Sequence, residues 1–329
     1  MSTNPSLRVT ELSTRNVQLT KYVLRSGILV AFIALLIIFA FTAPYFATFE
    51  NLRNVLRQVS VNTVVAVGMT FVIILAGIDL SVGAIVALIG SLAAGFLQAG
   101  YSLWLVLLLM VAIGAASGAI NGYFVAYQGV PAFIVTLATM TIYRGLAFLR
   151  TGGYAIPIAN DAFLGLGRGY LGPIPTPVVV MVVIIIIGHV ILTMTKFGRH
   201  ALAVGGNEEA SRLSGVNVEV TKLLIYTMSG VLAGIAGILL AGRLGAGSAN
   251  SGTGLELDAI AAVVLGGTDL MGGRGTITGT ILGAFIIGII SNGLTLLNVE
   301  PFYQMVIKGC IILFAVWFNI YGHRKGAIG

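Results

Sequence analysis

Charge is what this 329-residue chain has least of: Asp, Glu, Lys and Arg together make up 9% of it. A soluble domain carries about 25%. Eighteen basic and 11 acidic side chains cannot cover a surface of this size in water. That shortage excludes a cytosolic enzyme, a nucleic-acid binder and a disordered chain. Cysteine is nearly absent as well. Cys310 stands alone in an apolar run, so no disulfide can form within the chain and the redox compartment stays open. A phosphate loop is missing. The nearest string, Gly267-Thr-Asp-Leu-Met-Gly272-Gly273-Arg274, lacks the lysine and the following hydroxyl. There is no His-Glu-x-x-His, Cys-x-x-Cys or Gly-x-Ser-x-Gly. The three histidines, His189, His200 and His323, are scattered and read as interfacial side chains rather than metal ligands. No catalytic group, metal or cofactor is expected, and ATP has no recognisable site.

What remains is apolar: 57% of residues are hydrophobic and mean hydropathy is +1.02. The pattern predicts an all-α polytopic membrane protein. About 20 apolar residues cross a bilayer as a helix. Ten spans, give or take one, fit: 27–43, 59–76, 82–98, 103–127, 132–150, 176–194, 223–242, 257–267, 277–296 and 303–321. The eighth is too short to cross alone and reads as a half-helix or a re-entrant segment. Gly77-Ile-Asp79-Leu-Ser81-Val-Gly83 joins the second and third, as a loop or as a break inside the membrane. Residues 1–26 form an N-terminal segment and 322–329 a tail, on either side of a transmembrane domain over 27–321. The first span reads as retained rather than as a cleaved signal peptide, because the leader is long and lacks a close small-x-small site.

Basic residues set the direction. Arg8, Arg15, Lys21, Arg25, Lys196, Arg199, Arg212, Lys222, Arg274, Arg324 and Lys325 fall on one side with ten spans. Arg53, Arg57, Arg150, Arg168 and Arg243 fall on the other, and Arg144 and Lys308 lie within spans. The positive-inside rule then puts both termini in the cytoplasm.

Glycine is abundant, at 44 residues, and spaced. Gly114, Gly118 and Gly122 line one helix face, as do Gly275, Gly279 and Gly283. Gly230 and Gly234 open the seventh span. Such rows allow close backbone approach in lipid, within one subunit or between copies. Outside the spans, 151–176 is rich in Gly and Pro and faces out, as a connector or as a ledge with a short helix. The loop 195–222 faces in. Asn207 suits an N-cap there, Glu208 and Glu209 the first turn, Arg212 the last and Gly215 the end of a helix of about two turns. A helix so short is unstable alone, so the bundle or a partner must hold it.

Few acids approach the bilayer: Asp79, Asp258 and Asp269. Leu75-Ala-Gly77-Ile-Asp79-Leu80 echoes Leu265-Gly-Gly267-Thr-Asp269-Leu270, and Gly83 matches Gly273. Each Asp is expected to cap the following helix, Leu80 onward and Gly272 onward. Asn62, Asn121, Thr136, Thr139 and Asn292 are neutral polar groups within spans, which bond between helices or line a wet path. An ion-driven carrier needs several buried carboxylates or a cation cage. This inventory instead suits a neutral, hydroxyl-rich solute moved by energy supplied elsewhere.

Ser60-Val-Asn62-Thr, Gly77-Ile-Asp79-Leu-Ser81-Val-Gly83, Gly205-Gly-Asn207-Glu-Glu-Ala210-Ser-Arg212-Leu-Ser-Gly215, Glu256-Leu-Asp258-Ala-Ile-Ala-Ala-Val-Val-Leu-Gly266-Gly-Thr268 and Asn292-Gly-Leu294 with Tyr303-Gln304-Met305 resemble the ribose-type permeases of bacterial ABC sugar importers. The resemblance runs from about residue 44 to the end. It implies a multi-pass protein of the bacterial inner membrane that moves a monosaccharide and is not itself an enzyme. It implies three protein partners: a cytoplasmic ATPase, a periplasmic sugar-binding protein and a second permease copy or close paralogue. Nucleic acid is not among them. Residues 207–215, namely Asn207, Glu208, Glu209, Ala210, Ser211, Arg212, Leu213 and Gly215, resemble the segment that docks on the ATPase. A path lined by some of Asn62, Asp79, Asn121 and Asn292 is expected. Other solutes, such as a furanosyl signal or a deoxy sugar, and a lone ion-coupled carrier are the competing readings. Branched-chain amino acid permeases are more distant relatives.

Overall fold

A computed structural model describes residues 28–326. The expected segment 1–26 and the last three residues of the tail lie outside them. Thirteen helices follow one another among the described residues, with only two pairs of two-residue strands. The all-α expectation holds.

Six helices are long and apolar enough to cross a membrane: α2 (Phe49–Ile74), α4 (Leu103–Ala126), α5 (Ala132–Thr151), α7 (Thr176–Met194), α10 (Val218–Leu244) and α12 (Ile277–Leu296). Shorter apolar helices are α1 (Ile28–Thr42), α3 (Val82–Gln98) and the Pro301–Phe314 part of α13 (Pro301–Gly326). α11 (Leu255–Leu265) has 11 residues, about 16 Å, half the hydrocarbon thickness. α6 (Asp161–Arg168), α8 (Lys196–Gly206) and α9 (Glu208–Leu213) are short and lie between spans. Spans 82–98, 176–194 and 277–296 match their helices residue for residue. α2 starts ten residues before the hydropathy suggests. Thr48 caps it, its Oγ1 accepting from Asn51 N at 3.3 Å, and the polar turns with Asn51, Arg53 and Arg57 are helical too.

α2 is the central pillar, buried along nearly all of its second half. Around it the glycine rows meet each other. A Cβ built on Gly114 would lie 2.6 Å from the Gly230 carbonyl oxygen, one on Gly118 3.0 Å from Gly230 Cα and one on Gly122 2.9 Å from Leu223 Cα. α4 and α10 therefore pack backbone to backbone within one chain. Gly275, Gly279 and Gly283 do the same for the start of α12, against Ile74, Gly266 and Ala262. Among the two alternatives for these rows, packing inside the subunit is the one occupied.

The 151–176 segment is a ledge rather than a plain connector. Asn160 Oδ1 caps α6 by accepting from Phe163 N at 2.9 Å. The fully buried Phe163 and close-packed Gly167 seat α6 on the end of α10. Strand β1 (Ile156–Pro157) pairs with β4 (Ala246–Gly247), and β2 (Tyr170–Leu171) with β3 (Ile174–Pro175), both antiparallel.

Candidate functional site

Three polar places stand out. The first is the break between α2 and α3. Ala76 takes a positive φ of 56° to end α2, and its N–H returns to the Ile73 carbonyl. Asp79 follows, fully buried. Its Oδ1 accepts from Ser81 N at 3.0 Å and Ser81 Oγ at 2.6 Å, and its Oδ2 from Ser229 Oγ of α10 at 3.0 Å. Asn121 Nδ2 of α4 donates to Ser81 Oγ at 2.8 Å, and Thr136 Oγ1 of α5 donates to the Ile78 carbonyl at 3.0 Å. α4, α5 and α10 thus meet on the break, and the carboxylate itself is held by the neutral donors of Ser81 and Ser229. Gly77 is bare because the buried Tyr226 hydroxyl occupies the space beside it. Asp79 does not cap α3 directly. It closes a turn ahead of Ser81, the N-cap residue of α3. Asp269 departs further from expectation. Its Oδ1 accepts from Met271 N at 2.9 Å, but the next helix starts at Ile277 under a Thr276 cap. Both carboxylates use the i to i+2 bond natural to Asp in turns.

These two echoing segments touch. Gly273 N donates to the Ile74 carbonyl at 2.8 Å. Gly205, near the end of α8, packs against the same carbonyl and against Gly273. The two breaks and the interhelical loop therefore share one junction.

The second place is that loop. The sequence anticipates one short helix; the structure has two. α8 was not foreseen, although Thr195 is a legible N-cap whose Oγ1 accepts from Gly198 N at 3.2 Å. α9 is as expected. Asn207 Oδ1 accepts from Ala210 N at 2.9 Å. Gly215, at φ 83°, closes the helix: its N–H reaches the Arg212 carbonyl and Val216 N–H the Ser211 carbonyl. Six residues do not hold a helix alone. Ion pairs to the start of α10 do: Lys222 Nζ to Glu208 Oε2 at 2.6 Å, and Arg212 to Glu219, with Glu208 at 3.5 Å from Arg212. The hydrogen bond from Arg212 holds the Glu219 carboxyl below the usual range and raises the Arg212 guanidinium in return. Ser211 turns inward. Glu209, Ala210 and Leu213 face out, and Leu213 is 81% exposed. Glu209 has no ion pair among the described residues.

The third place lies at the opposite end of the bundle. A cavity of about 180 Å³ opens between α2, α10, α11 and α12, with Gln58, Asn62, Arg243, Asp258 and Ser291 on its wall. Asp258 Oδ2 accepts from Lys308 Nζ of α13 at 2.8 Å. Both residues were visible as charges within or near spans; only the fold pairs α11 with α13. At this end Arg168 Nε donates to the Arg243 carbonyl at 2.8 Å, and Arg53 and Arg57 stack over Tyr170. Glu256, beside Asp258, packs on Gly83, where a side chain would displace it.

The four expected path residues are thus dispersed. Asp79 and Asn121 share the break. Asn62 lines the cavity. Asn292 exchanges two 2.9 Å hydrogen bonds with Asn51 and joins α12 to α2. No group of three or more His, Cys, Asp or Glu able to hold a metal occurs among the described residues.

A family model described as "Branched-chain amino acid transport system / permease component" matches residues 51–316. The ribose import permease protein RbsC of Haemophilus influenzae is 42% identical over 317 residues, covering 95% of this chain and 98% of that one. The chain is a member of the ribose-type ABC importer permease family. RbsC of Bacillus subtilis is 46% identical over 284 residues, 86% of this chain and 88% of its own. The xylose transport system permease protein XylH of Escherichia coli is 36% identical over 358 aligned positions, 90% of this chain and 91% of its own. No solved structure matches. The chain is a multi-pass transport subunit, which agrees with its apolar helices.

Proposed function

We propose that this chain is the membrane-spanning subunit of an importer that carries a monosaccharide or related polyol inward, driven by ATP hydrolysis on a separate cytoplasmic subunit. Its relatives are permeases for ribose and xylose, which supports the solute class. In this reading the protein lies in a bacterial inner membrane, with α8 and α9 in the cytoplasm. The ten spans are α1 to α5, α7 and α10 to α13. α11 completes a crossing because residues 266–275, which follow it, pack against α8 at the inner end. An even number of crossings leaves both termini inside. A second copy or close paralogue completes the pathway, and the arginine-rich end with Tyr170 receives an acidic sugar-binding protein from outside.

The observation that carries the reading is α9. A solvated helix of six residues is capped at both ends, pinned to α10 by ion pairs, and offers Glu209, Ala210 and a bare Leu213 to solvent. In this reading Leu213 is the apolar anchor that a groove of the ATPase would take, with Glu209 and Ala210 beside it. The junction of Gly205, Ile74 and Gly273 leads from that helix to both breaks. The test is Leu213→Asp in the reconstituted complex with its ATPase and sugar-binding protein. The variant is expected to insert and fold as wild type, to release the ATPase during purification, and to lose solute-stimulated ATP hydrolysis at least tenfold. Retained binding and stimulation would remove α9 from the mechanism.

A further inference from the structure

Arg144 and Lys308 are the two basic residues that fall inside spans. A cation at that depth is costly and needs a partner. Both find theirs at one element, the start of α11. Arg144 Nη1 of α5 donates to the Ala249 carbonyl at 2.6 Å and to the Ser251 carbonyl at 2.8 Å. Lys308 Nζ of α13 donates to Asp258 Oδ2, in the first turn of α11, at 2.8 Å. The two cations come from different parts of the bundle, because α5 packs on α3 and α4 whereas α13 packs on α11 and α12.

Residues 248–254 lead from β4 into α11 as neither helix nor strand. This backbone lies deep. Gln98, at the end of α3, donates to the Pro157 carbonyl on the outer ledge at 3.1 Å. Gly83, near the start of α3, meets the Gly252 carbonyl, where a Cβ would lie 2.4 Å from its oxygen. Along α3 the two levels are about 22 Å apart, from the rise per residue of a helix. Non-helical backbone at that depth persists only where protein or water satisfies its polar groups. The Arg144 guanidinium satisfies two carbonyls at once. The other end of α11 leads to the inner junction. Gly266 packs on the Gly279 backbone, and the chain beyond it reaches Ile74 and Gly205 at Gly273. α11 is therefore a rod of about 16 Å, held by two cations at its start and resting on the α8 junction at its end.

We propose that Arg144 and Lys308 are positioning residues of the transport cycle. Together they fix the first turn of α11, so that a movement of α8 arriving at the junction turns α11 about a held end instead of displacing it whole. The inference rests on the importer reading above and adds the fixed end to it. Neutralising either cation leaves two carbonyls or a carboxylate without its partner at mid-depth, and the rod loses that end.

The test measures the ratio of solute-stimulated to basal ATP hydrolysis per assembled complex, reconstituted with the ATPase and the sugar-binding protein. A merely structural loss lowers both rates alike and leaves the ratio unchanged. Lys308→Met and Arg144→Gln are each expected to lower the ratio about fivefold, within the range by which single changes alter coupling. The exchanged pair, Asp258→Lys with Lys308→Asp, rebuilds the ion pair in reverse and is expected to regain most of the wild-type ratio. Arg144→Lys keeps the charge but not the planar fork, and is expected to fall between Arg144→Gln and wild type. A wild-type ratio in either single variant overturns the proposal, as does an exchanged pair no better than Lys308→Met. Should Lys308→Met fail to assemble, the exchanged pair and the two Arg144 variants decide in the same way. If the wild-type complex is stimulated by a monosaccharide while the variants match it, the importer reading stands and the positioning role falls. If no monosaccharide stimulates the wild-type complex or enters through it, the reading beneath fails instead.

Discussion

Gly205 and Gly206 are neighbours in one helix and should respond to alanine in opposite ways. A Cβ on Gly205 would drive into the Ile74 carbonyl oxygen and lie 2.7 Å from Gly273 N and 2.8 Å from the Ile74 carbonyl carbon. Every one of these atoms is backbone, so no side chain can swing aside. A Cβ on Gly206 would meet only Gly273 Cα, at 4.0 Å, an ordinary contact. Overpacking costs about 1–3 kcal/mol, and a rigid backbone wall favours the upper end. Alanine recovers up to ~1 kcal/mol of helix propensity at either site. The net is a loss of about 2 kcal/mol for Gly205→Ala and a gain of a few tenths for Gly206→Ala. Two kcal/mol is a factor of roughly 30 in the equilibrium that keeps α8 on the junction. In a protein of this size it lowers the melting midpoint by about 3 °C. Differential scanning fluorimetry of the detergent-solubilised protein and hydrogen exchange over residues 196–215 are the assays. Gly205→Ala should melt earlier and exchange faster at α8 and at 74–79; Gly206→Ala should do neither. Equal behaviour of the two variants would refute the junction.

Asp79→Ala strands Ser81 N and Ser229 Oγ in the interior, removes the acceptor of Ser81 Oγ as well, and should cost at least about 2–6 kcal/mol at 1–3 kcal/mol per orphaned group, read as a fall in melting temperature. Gly118→Ala, against the Gly230 backbone at 3.0 Å, should destabilise by about 1–3 kcal/mol, while Gly145→Ala, with nothing within 4 Å, should be neutral or mildly stabilising in the same melt. The Arg212–Glu219 pair gives a signed pH dependence. The folded carboxyl sits lower than the unfolded one, so its contribution is fully present above the unfolded value near 4.3 and is lost as pH falls through the folded value. Hydrogen exchange of α9, corrected for its intrinsic pH dependence, should be flat from pH 8 to 6 and loosen only in acid; loosening near pH 6.5 would point to a histidine instead.

Much of this fold was legible because a bilayer makes hydropathy almost a ruler. Spans 82–98, 176–194 and 277–296 needed nothing else. Boundaries failed where polar residues stay helical, as Asn51, Arg53 and Arg57 do at the top of α2, because a capped helix can leave the hydrocarbon without unwinding. The α9 caps were readable from Asn207 and Gly215, since capping is local chemistry. α8 was missed although Thr195 marks it, because Lys196-Phe-Gly-Arg-His carries little helical pattern. The path residues fared worst. Asn62, Asp79, Asn121 and Asn292 are alike in sequence as isolated polar groups in spans. Which of them face a cavity, a turn or another amide depends on which helices adjoin, and that is tertiary information. The same gap hid the Asp258–Lys308 pair.

The arrangement of contacts along α2 bears on how a push at one end reaches the other. α2 is tied to the segment around α12 at three heights: Asn51 to Asn292, Thr70 Oγ1 to Thr280 Oγ1 at 2.8 Å, and the Ile74 carbonyl to Gly273 N. Bonds at both ends and near the inner third leave little freedom for one helix to slide on the other. α10 belongs with α4 through the glycine seam. α2 and α10 approach closely at Gly68, where a Cβ would lie 3.1 Å from Cα of Ser229, the residue whose hydroxyl bonds Asp79. Beyond it, toward Gln58 and Asn62 on one helix and Leu240 and Arg243 on the other, the cavity separates them. A rocking of the α2–α12 pair about the Gly68 contact therefore moves Ile74 and the cavity wall in opposite directions. Ile74 and Asn62 each lie six residues from Gly68, about 9 Å along the helix, so the junction with Gly205 and the near wall of the cavity move by similar amounts. A displacement of α8 against Ile74 would be felt at the cavity wall, which is the link that the coupling proposed for α9 requires.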